Sequence, residues 1–250
     1  MAEDFMLNRE AWDATSDEYQ AQHHEQLEQY PQAWGIWSLP ESELQLLGDV
    51  DQRDVLEYGC GGAQWSIALA RRGARCTGLD NSARQLTHAQ AAIDRYSVSV
   101  KLVHGYAEHT PFADSSFDIV FCDHGAMSFV DPERTVPEVS RILRRGGIFA
   151  FSVEHPIHAI TWSDSLDAPS RTLHRSYFAL GRQETMTDGG VTYVRPIAAY
   201  IALLIANGFN VENLLEPRPP HRATTTYQNF ASPEWAGEFP AELMIRARRL

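Results

Sequence analysis

The chain lacks nearly everything that would place it in a membrane, outside the cell or on a polyanion. Its three cysteines, Cys60, Cys76 and Cys122, are scattered, odd in number and without zinc-like spacing. That usage fits a reducing compartment and predicts a cytoplasmic protein. No apolar run approaches the roughly 20 residues that cross a bilayer. The start, "MAEDFMLNREAWD", lacks the basic-then-apolar order of a secretory leader, so no membrane partner is expected. Basic residues are few, 21 against 33 acidic ones, for a net charge of −12 over 250 residues. Nucleic-acid binders usually present a basic face. Here "RRGAR" and "RILRR" fall at expected helix ends, where cations complement the helix dipole, which weighs against DNA or RNA. No repeat, low-complexity tract or flexible linker interrupts the chain.

What is present is an alternation. The first part, to about Gly48, reads as helical and carries Trp12, Tyr19, Tyr30, Trp34 and Trp37. From Arg53 onward, strands and helices take turns. "DVLEYG" is a strand, "AQWSIALARRG" a helix stopped by Gly73, and "ARCTGLD" a second strand. "SARQLTHAQAAIDRY" is a helix opened by a Ser82-x-x-Gln85 capping box. "VSVKLVHG" and "FDIVFCDHG" are the third and fourth strands. "DPERTVPEVSRILRRGG" is a helix with Asp131 as N-cap, Pro132 at its first position and Gly146 at its stop, burying Val136, Val139 and Leu143. "GIFAFSVEH" is the fifth strand.

This spacing predicts a parallel sheet with helices on both faces. Ligands of such sheets bind beyond the carboxyl ends of the strands, where the strand order switches. Those ends are residues 57–62, 80–81, 105–108, 123–128 and 154–156. After His155 the alternation stops. "RQETMTDGGVTYV" reads as a hairpin turning at Asp188-Gly189, "RPIAAYIALLIANG" as a helix, and "FNVENLLEP" and "PAELMIRARRL" as two strands joined without a helix, which implies an antiparallel edge.

The stretch "VLEYGCGGAQW" carries the chemistry. A dinucleotide fingerprint needs Gly-x-Gly-x-x-Gly, but counting from Gly59 the sixth position is Gln64. Glu57 weighs further against a diphosphate, because its carboxylate stands at the strand end beside the turn. The same carboxylate suits a ligand bearing an ammonium group.

Acid-x-Gly-x-Gly, then Gly-Ala, with Asp80 closing the next strand, resembles motif I of class I S-adenosylmethionine-dependent methyltransferases, in particular the small-molecule group that includes ubiquinone-biosynthesis-type enzymes. The resemblance is close over about residues 53–153. It implies a Rossmann-like, seven-stranded, mostly parallel α/β sheet with an antiparallel last strand. It also implies one domain: an N-terminal helical cap (1–48), a cofactor-binding core (53–153), a substrate lid (154–194) and a C-terminal helix with strands (195–250). S-adenosylmethionine would be the cofactor and S-adenosylhomocysteine the product.

On this resemblance Glu57, Gly59, Cys60 and Gly61 would hold the methionine moiety, Asp80 both ribose hydroxyls, and Asn81 the adenine flank. "GYAEHTPF" is similar to the family's Gly-Asp-Ala-Glu loop, with Tyr106 replacing the usual acid, so Ala107 and Glu108 would touch adenine. "SSFDIVFCDHGAMSFV" would set Asp123 and His124 beside the methyl donor. Trp12 and Tyr19 belong to the N-terminal helix that covers the cofactor in relatives. Structural roles remain open for several: a helix cap for Asp80, an exposed loop for Glu108, a turn contact for Asp123, plain packing for Trp12 and Tyr19.

Methyl transfer from a sulfonium is an in-line displacement that rewards orientation and exclusion of water. A base is needed where the acceptor must lose a proton, and His124 and His155, both at strand ends, are the candidates. Glu154, His155 and His158 form a short cluster, but Pro156 breaks its helical facing and no metal site is expected. Aromatic residues in the N-terminal segment, the 157–194 insertion and "RPPHRATTTYQNFASPEW" suit a flat aromatic or polyketide-like small molecule methylated at oxygen or nitrogen. The alternatives are an RNA or protein methyltransferase, a non-catalytic S-adenosylmethionine-binding protein, and a nucleotide-dependent oxidoreductase or epimerase. Monomer and homodimer remain equally open.

Overall fold

The computed structural model describes residues 4–184 and 189–250. Seven strands form the central sheet: β1 (Asp54–Tyr58), β2 (Arg75–Asp80), β3 (Val100–His104), β4 (Phe117–Asp123), β5 (Leu143–Glu154), β6 (Phe209–Leu215) and β7 (Glu242–Arg249). Their order is β6-β7-β5-β4-β1-β2-β3. Strands β1 to β5 pair in parallel, while β7 runs antiparallel to both β5 and β6. The antiparallel edge expected from two strands joined without a helix is the β6–β7 pair, with β7 the inner of the two. The reason lies in composition: Leu243, Met244, Ile245 and Ala247 of β7 are fully buried, whereas β6 carries exposed Asn210 and Glu212 and tolerates an edge.

Side chains of the strands alternate between two cores. On one face Leu56, Val120, Phe149 and Phe151 meet helices α4 (Pro132–Ile142) and α5 (Ile197–Ala206) through Val136, Val139 and Leu204. On the other, Val55, Ile119, Phe121 and Ala150 meet α2 (Gln64–Ala70) through Trp65 and Leu69, together with Trp34, Trp37 and Trp235. Helix α3 (Ala83–Tyr96) follows β2, and the Ser82 hydroxyl accepts from the Gln85 N–H. The capping box is half made, because the Gln85 side chain turns instead to Gln20.

Two further boundaries differ from the sequence pattern. Helix α1 (Asp4–Gln29) ends well before Gly48. Pro31 has no N–H to continue it, and Ala33–Trp34 pairs with Leu39–Pro40 as a small antiparallel ladder around Gly35. Helix α4 stops at Ile142 and not at Gly146, which lies inside β5. The carbonyls of Arg141 and Ile142 at that end accept from the Ser115 and Ser116 N–H groups, so the helix terminates on the chain entering β4 and needs no glycine. Asp131 caps the other end, accepting from the Glu133 N–H. The expected hairpin pairs Arg182–Glu184 with Val191–Tyr193; Asp188, the first residue of its expected turn, lies outside the described residues.

The chain leaves β1 toward β2 and returns from β3 to β4, so β1 and β4 are neighbours from which the connections diverge. At their ends two glycines meet backbone to backbone. A Cβ on Gly125 would stand 2.5 Å from the Gly59 carbonyl oxygen and 2.8 Å from that of Tyr58. One on Gly59, whose φ is +84°, would stand 2.5 Å from the Ala126 nitrogen. Nothing in either backbone can yield as a flexible side chain would. Gly125→Ala should lower the unfolding free energy by about 1–3 kcal/mol, the usual cost of overpacking; urea denaturation with an unchanged midpoint would refute the contact.

Candidate functional site

A cavity of about 330 Å³ opens at the divergence of β1 and β4, the size of a small-ligand site. The sheet supplies its floor, α1 one wall, and the segments around Thr192–Val194 and Tyr227–Phe230 another. Of the residues singled out from sequence, Tyr19, Glu57, Gly59, Cys60, Gly61, Asp80, Asn81, Ala107, Asp123 and His124 all line it. Glu108 and His155 do not. Glu108 lies in a small crevice beside Phe5, Asp131 and Arg134, with Oε2 buried and without a hydrogen-bond partner among the described residues. His155 is buried and caps the short helix Pro156–Thr161: Nδ1 accepts from the Ile157 N–H at 3.0 Å, which leaves Nε2 to donate to Glu216 at 2.8 Å.

The glycine turn is held open by its neighbours. Asp80 accepts the Gly61 N–H through Oδ2 (2.8 Å) and the Ser82 N–H through Oδ1 (2.9 Å). The helix-capping role and the cavity position thus coincide in one carboxylate, which retains lone pairs on both oxygens. Glu57 is buried and turns Oε2 to the Ser66 N–H and hydroxyl (2.9 and 2.5 Å). Burial dominates these bonds and pushes its carboxyl up to about 8. Burial also raises the carboxyls of Asp80 and Asp123.

Asp123 receives the Gly35 N–H (3.0 Å), the Trp65 indole N–H (3.3 Å) and the Ser152 hydroxyl. His124 follows in the left-handed region, φ +48°, a conformation that strains a residue with a side chain. Its N–H is anchored on the Ser152 carbonyl and hydroxyl. Its Nε2 lies 2.6 Å from Oε1 of Glu242, which also accepts the Ile36 N–H. Because Oε1 already acts as an acceptor, Nε2 carries the hydrogen in this pair, and Nδ1 keeps a lone pair with no hydrogen-bond partner among the described residues. Burial alone would disfavour the imidazolium, but the hydrogen bond and charge of Glu242 prevail and hold the ring above its ordinary value.

Sequence reasoning missed three groups. Gln20 bridges Gln85 (2.8 Å) and Gln64 (3.1 Å), tying α1 to the glycine turn. Tyr227 meets Tyr19 hydroxyl to hydroxyl at 2.8 Å. Glu242 reaches the site because an antiparallel strand begins at the edge where parallel strands end, a signal available once β7 is known to be antiparallel. Glu154 lines the cavity and lies 2.6 Å from Nδ1 of His158, whose Nε2 faces the Phe230 carbonyl at 2.7 Å. Two acceptors require a proton shared within the Glu154–His158 pair. Among the described residues, no group of His, Cys, Asp and Glu is placed to hold a metal ion, and no helix is long and apolar enough to cross a membrane.

Glu57 has a thermodynamic consequence. Its carboxyl ionises near 4.5 when free and near 8 when folded. Its contribution to stability is therefore full below pH 4.5 and is lost as pH rises to 8. Between pH 5 and 8 the wild-type unfolding free energy should fall faster than that of Glu57→Gln, by up to about 1.4 kcal/mol per pH unit. Parallel pH profiles in urea denaturation would show that Glu57 is not buried as a neutral acid.

The family model of the methyltransferase domain matches residues 56–151. The chain is 33% identical over 102 residues to an uncharacterized methyltransferase, YcgJ, of Bacillus subtilis, covering 40% of each chain. It is 32% identical over 108 residues to a demethylmenaquinone methyltransferase of Bacillus velezensis, covering 42% of this chain and 46% of that one. It thus spans less than half the length of these curated relatives. The crystal structure of an S-adenosylmethionine dependent methyltransferase from Mesorhizobium loti superposes with a TM-score of 0.69 at 26% identity, covering 83% of this chain and 96% of that one. With the sheet order, the glycine turn and the acidic strand ends already in place, these matches place residues 56–151 in a methyltransferase domain of the class I S-adenosylmethionine-dependent type.

Proposed function

We propose that this chain transfers a methyl group from S-adenosylmethionine to nitrogen or oxygen of a small molecule, releasing S-adenosylhomocysteine. The observation that carries the reading is the charge of the cavity. Glu57, Asp80, Asp123 and Glu154 line it, and no Lys or Arg is among its lining residues. A dinucleotide diphosphate would meet no Lys or Arg there to balance its charge. S-adenosylmethionine, with an ammonium and a sulfonium against one carboxylate, matches that field.

The residues present fit the cofactor. Asp80 would accept from the ribose hydroxyls with its remaining lone pairs, a charge-assisted pair. Gly59, Cys60 and Gly61 would offer backbone to the methionine moiety. Asn81 and the Ala107 N–H would border the adenine, with Glu108 set aside by its place outside the cavity. Tyr19 and Trp12 would close the wall over it. An arriving ammonium would ionise Glu57, so binding at neutral pH would release a proton that Glu57→Gln cannot supply. Bound S-adenosylmethionine supplies an electrophilic methyl group.

His124 is the proton acceptor in this reading, because Nδ1 carries a free lone pair while both nitrogens of His155 are engaged. Glu242 is its positioning residue. An acceptor larger than a small molecule would have to pass α1 and the 191–194 strand, which supports a small one and gives the 1–48 and 154–194 segments their roles as cap and lid. The net charge of −12 supports the same choice over RNA.

Calorimetric titration with S-adenosylhomocysteine should give micromolar binding, and NADH none; the reverse would overturn the assignment. His124→Ala should keep that affinity within about threefold and lose turnover by about 10²-fold or more, the usual share of a positioned base. His155→Ala should instead lose stability, by about 1 kcal/mol for a broken cap. In an NMR titration the His124 ring should titrate above 6.5, its ordinary value, and fall toward it in Glu242→Gln.

A further inference from the structure

We infer that the acceptor enters as a protonated amine carried on a flat apolar frame; this rests on the methyltransferase reading above. Glu154 of β5 and Glu242 of β7 are register partners across the antiparallel pair. Directly opposed residues leave a sheet on the same face, where like charges repel. Neither is relieved by a cation from Lys or Arg. Glu242 is fully buried; Oε1 takes the His124 ring and the Ile36 N–H, while Oε2 has no hydrogen-bond partner among the described residues. It lies directly behind the cavity wall, since a Cβ on Gly35 would fall 2.2 Å from Oε1 and 2.7 Å from Oε2. Glu154 has His158 on Oε1, and Asp123 has only neutral donors.

Three carboxyl groups therefore gather at this end of the cavity with only two imidazoles beside them, and no Lys or Arg is among the cavity's lining residues. Aromatic surface completes it. Phe230 stacks on His158 at 4.2 Å between ring centroids, and its edge contact reaches His124 at 5.8 Å. Tyr227 and Trp65 line the same cavity. Aromatic faces beside carboxylates favour an organic cation. An anionic acceptor would be repelled, and a phenol would have to become phenolate among carboxylates.

An ammonium fits at each stage. Its proton passes to Nδ1 of His124, leaving a neutral amine. The nitrogen lone pair forms the new N–C bond, the C–S bonding pair remains on sulfur, and the positive charge ends on nitrogen, within the same negative surroundings.

The test is a ligand-observed NMR titration at pH 7, with the protein first saturated with S-adenosylhomocysteine. Three probes share one frame: phenethylamine, 2-phenylethanol and 3-phenylpropionate. The amine should bind at least tenfold more tightly than the alcohol, and the carboxylate should not bind. Glu154→Gln and Glu242→Gln, checked for folding by circular dichroism, should each erode the amine preference at least threefold. Equal affinity for the alcohol, binding of the carboxylate, or silence from the amine overturns the inference. Failure of S-adenosylhomocysteine to bind in the first step is a different result, and it overturns the methyltransferase reading itself.

Discussion

Where β1 and β4 end, the chain must turn away in opposite directions while the two turns touch. Gly59 and Gly125 allow this because neither has a Cβ to hold the backbones apart. The crevice exists only because the turns close against each other beneath it, and its chemistry follows from what each carries next. The β1 turn brings the Gly61 N–H to Asp80; the β4 turn brings Asp123 and a strained His124. Left-handed strain at a non-glycine residue persists only when surroundings over-determine it. Here Ser152 and Glu242 provide that restraint from two other strands.

The acidic set at this edge has the same origin. Parallel strands end where the antiparallel β7 begins, so residues from β1, β2, β4, β5 and β7 converge although they span from residue 57 to residue 242. Burial then acts on them together, raising Glu57, Asp80 and Asp123. Carboxyls buried this closely together, with no Lys or Arg among the lining residues, ionise most readily beside a bound cation, which is the physical link between the fold and a sulfonium cofactor.

Helix α1 covers the crevice in an unusual way. Its buried side chains are Asp4, Asn8, Ala11, Ser16, Gln20, His23 and Gln26, six polar groups and one alanine. They are satisfied individually: Asn8 by Phe129 and Val191, Asp4 by Arg182 and Tyr193, Gln26 by Ile36 and Thr226. Each such bond contributes about 0.5–1.5 kcal/mol net, so many weak polar contacts hold this wall where the core helices rely on apolar burial. His23 shows the cost of polarity at such a seam, as burial alone brings its pKa down to about 4.

Strand and helix alternation, the glycine turn with Glu57 and Asp80, and the position of ten cavity residues were legible in the sequence, because each is a local consequence of periodicity, φ or strand ends. The end of α1, by contrast, was hidden: with no apolar stripe on its inner face, hydrophobic periodicity could not mark it, and Pro31 was the sole local signal. The burial of β7 inside the sheet depended on comparing two strands for one place. That His124 lines the cavity and His155 does not was equally hidden, because both stand after strands of similar pattern. By itself the sequence determined the fold class and placed the glycine turn and acidic strand ends that line the cavity, since short-range chemistry writes these into contiguous residues. Only the tertiary structure decided the end of the cavity where Glu154, His158, Phe230 and Glu242 meet through strand register and burial, quantities that no single segment of the chain contains.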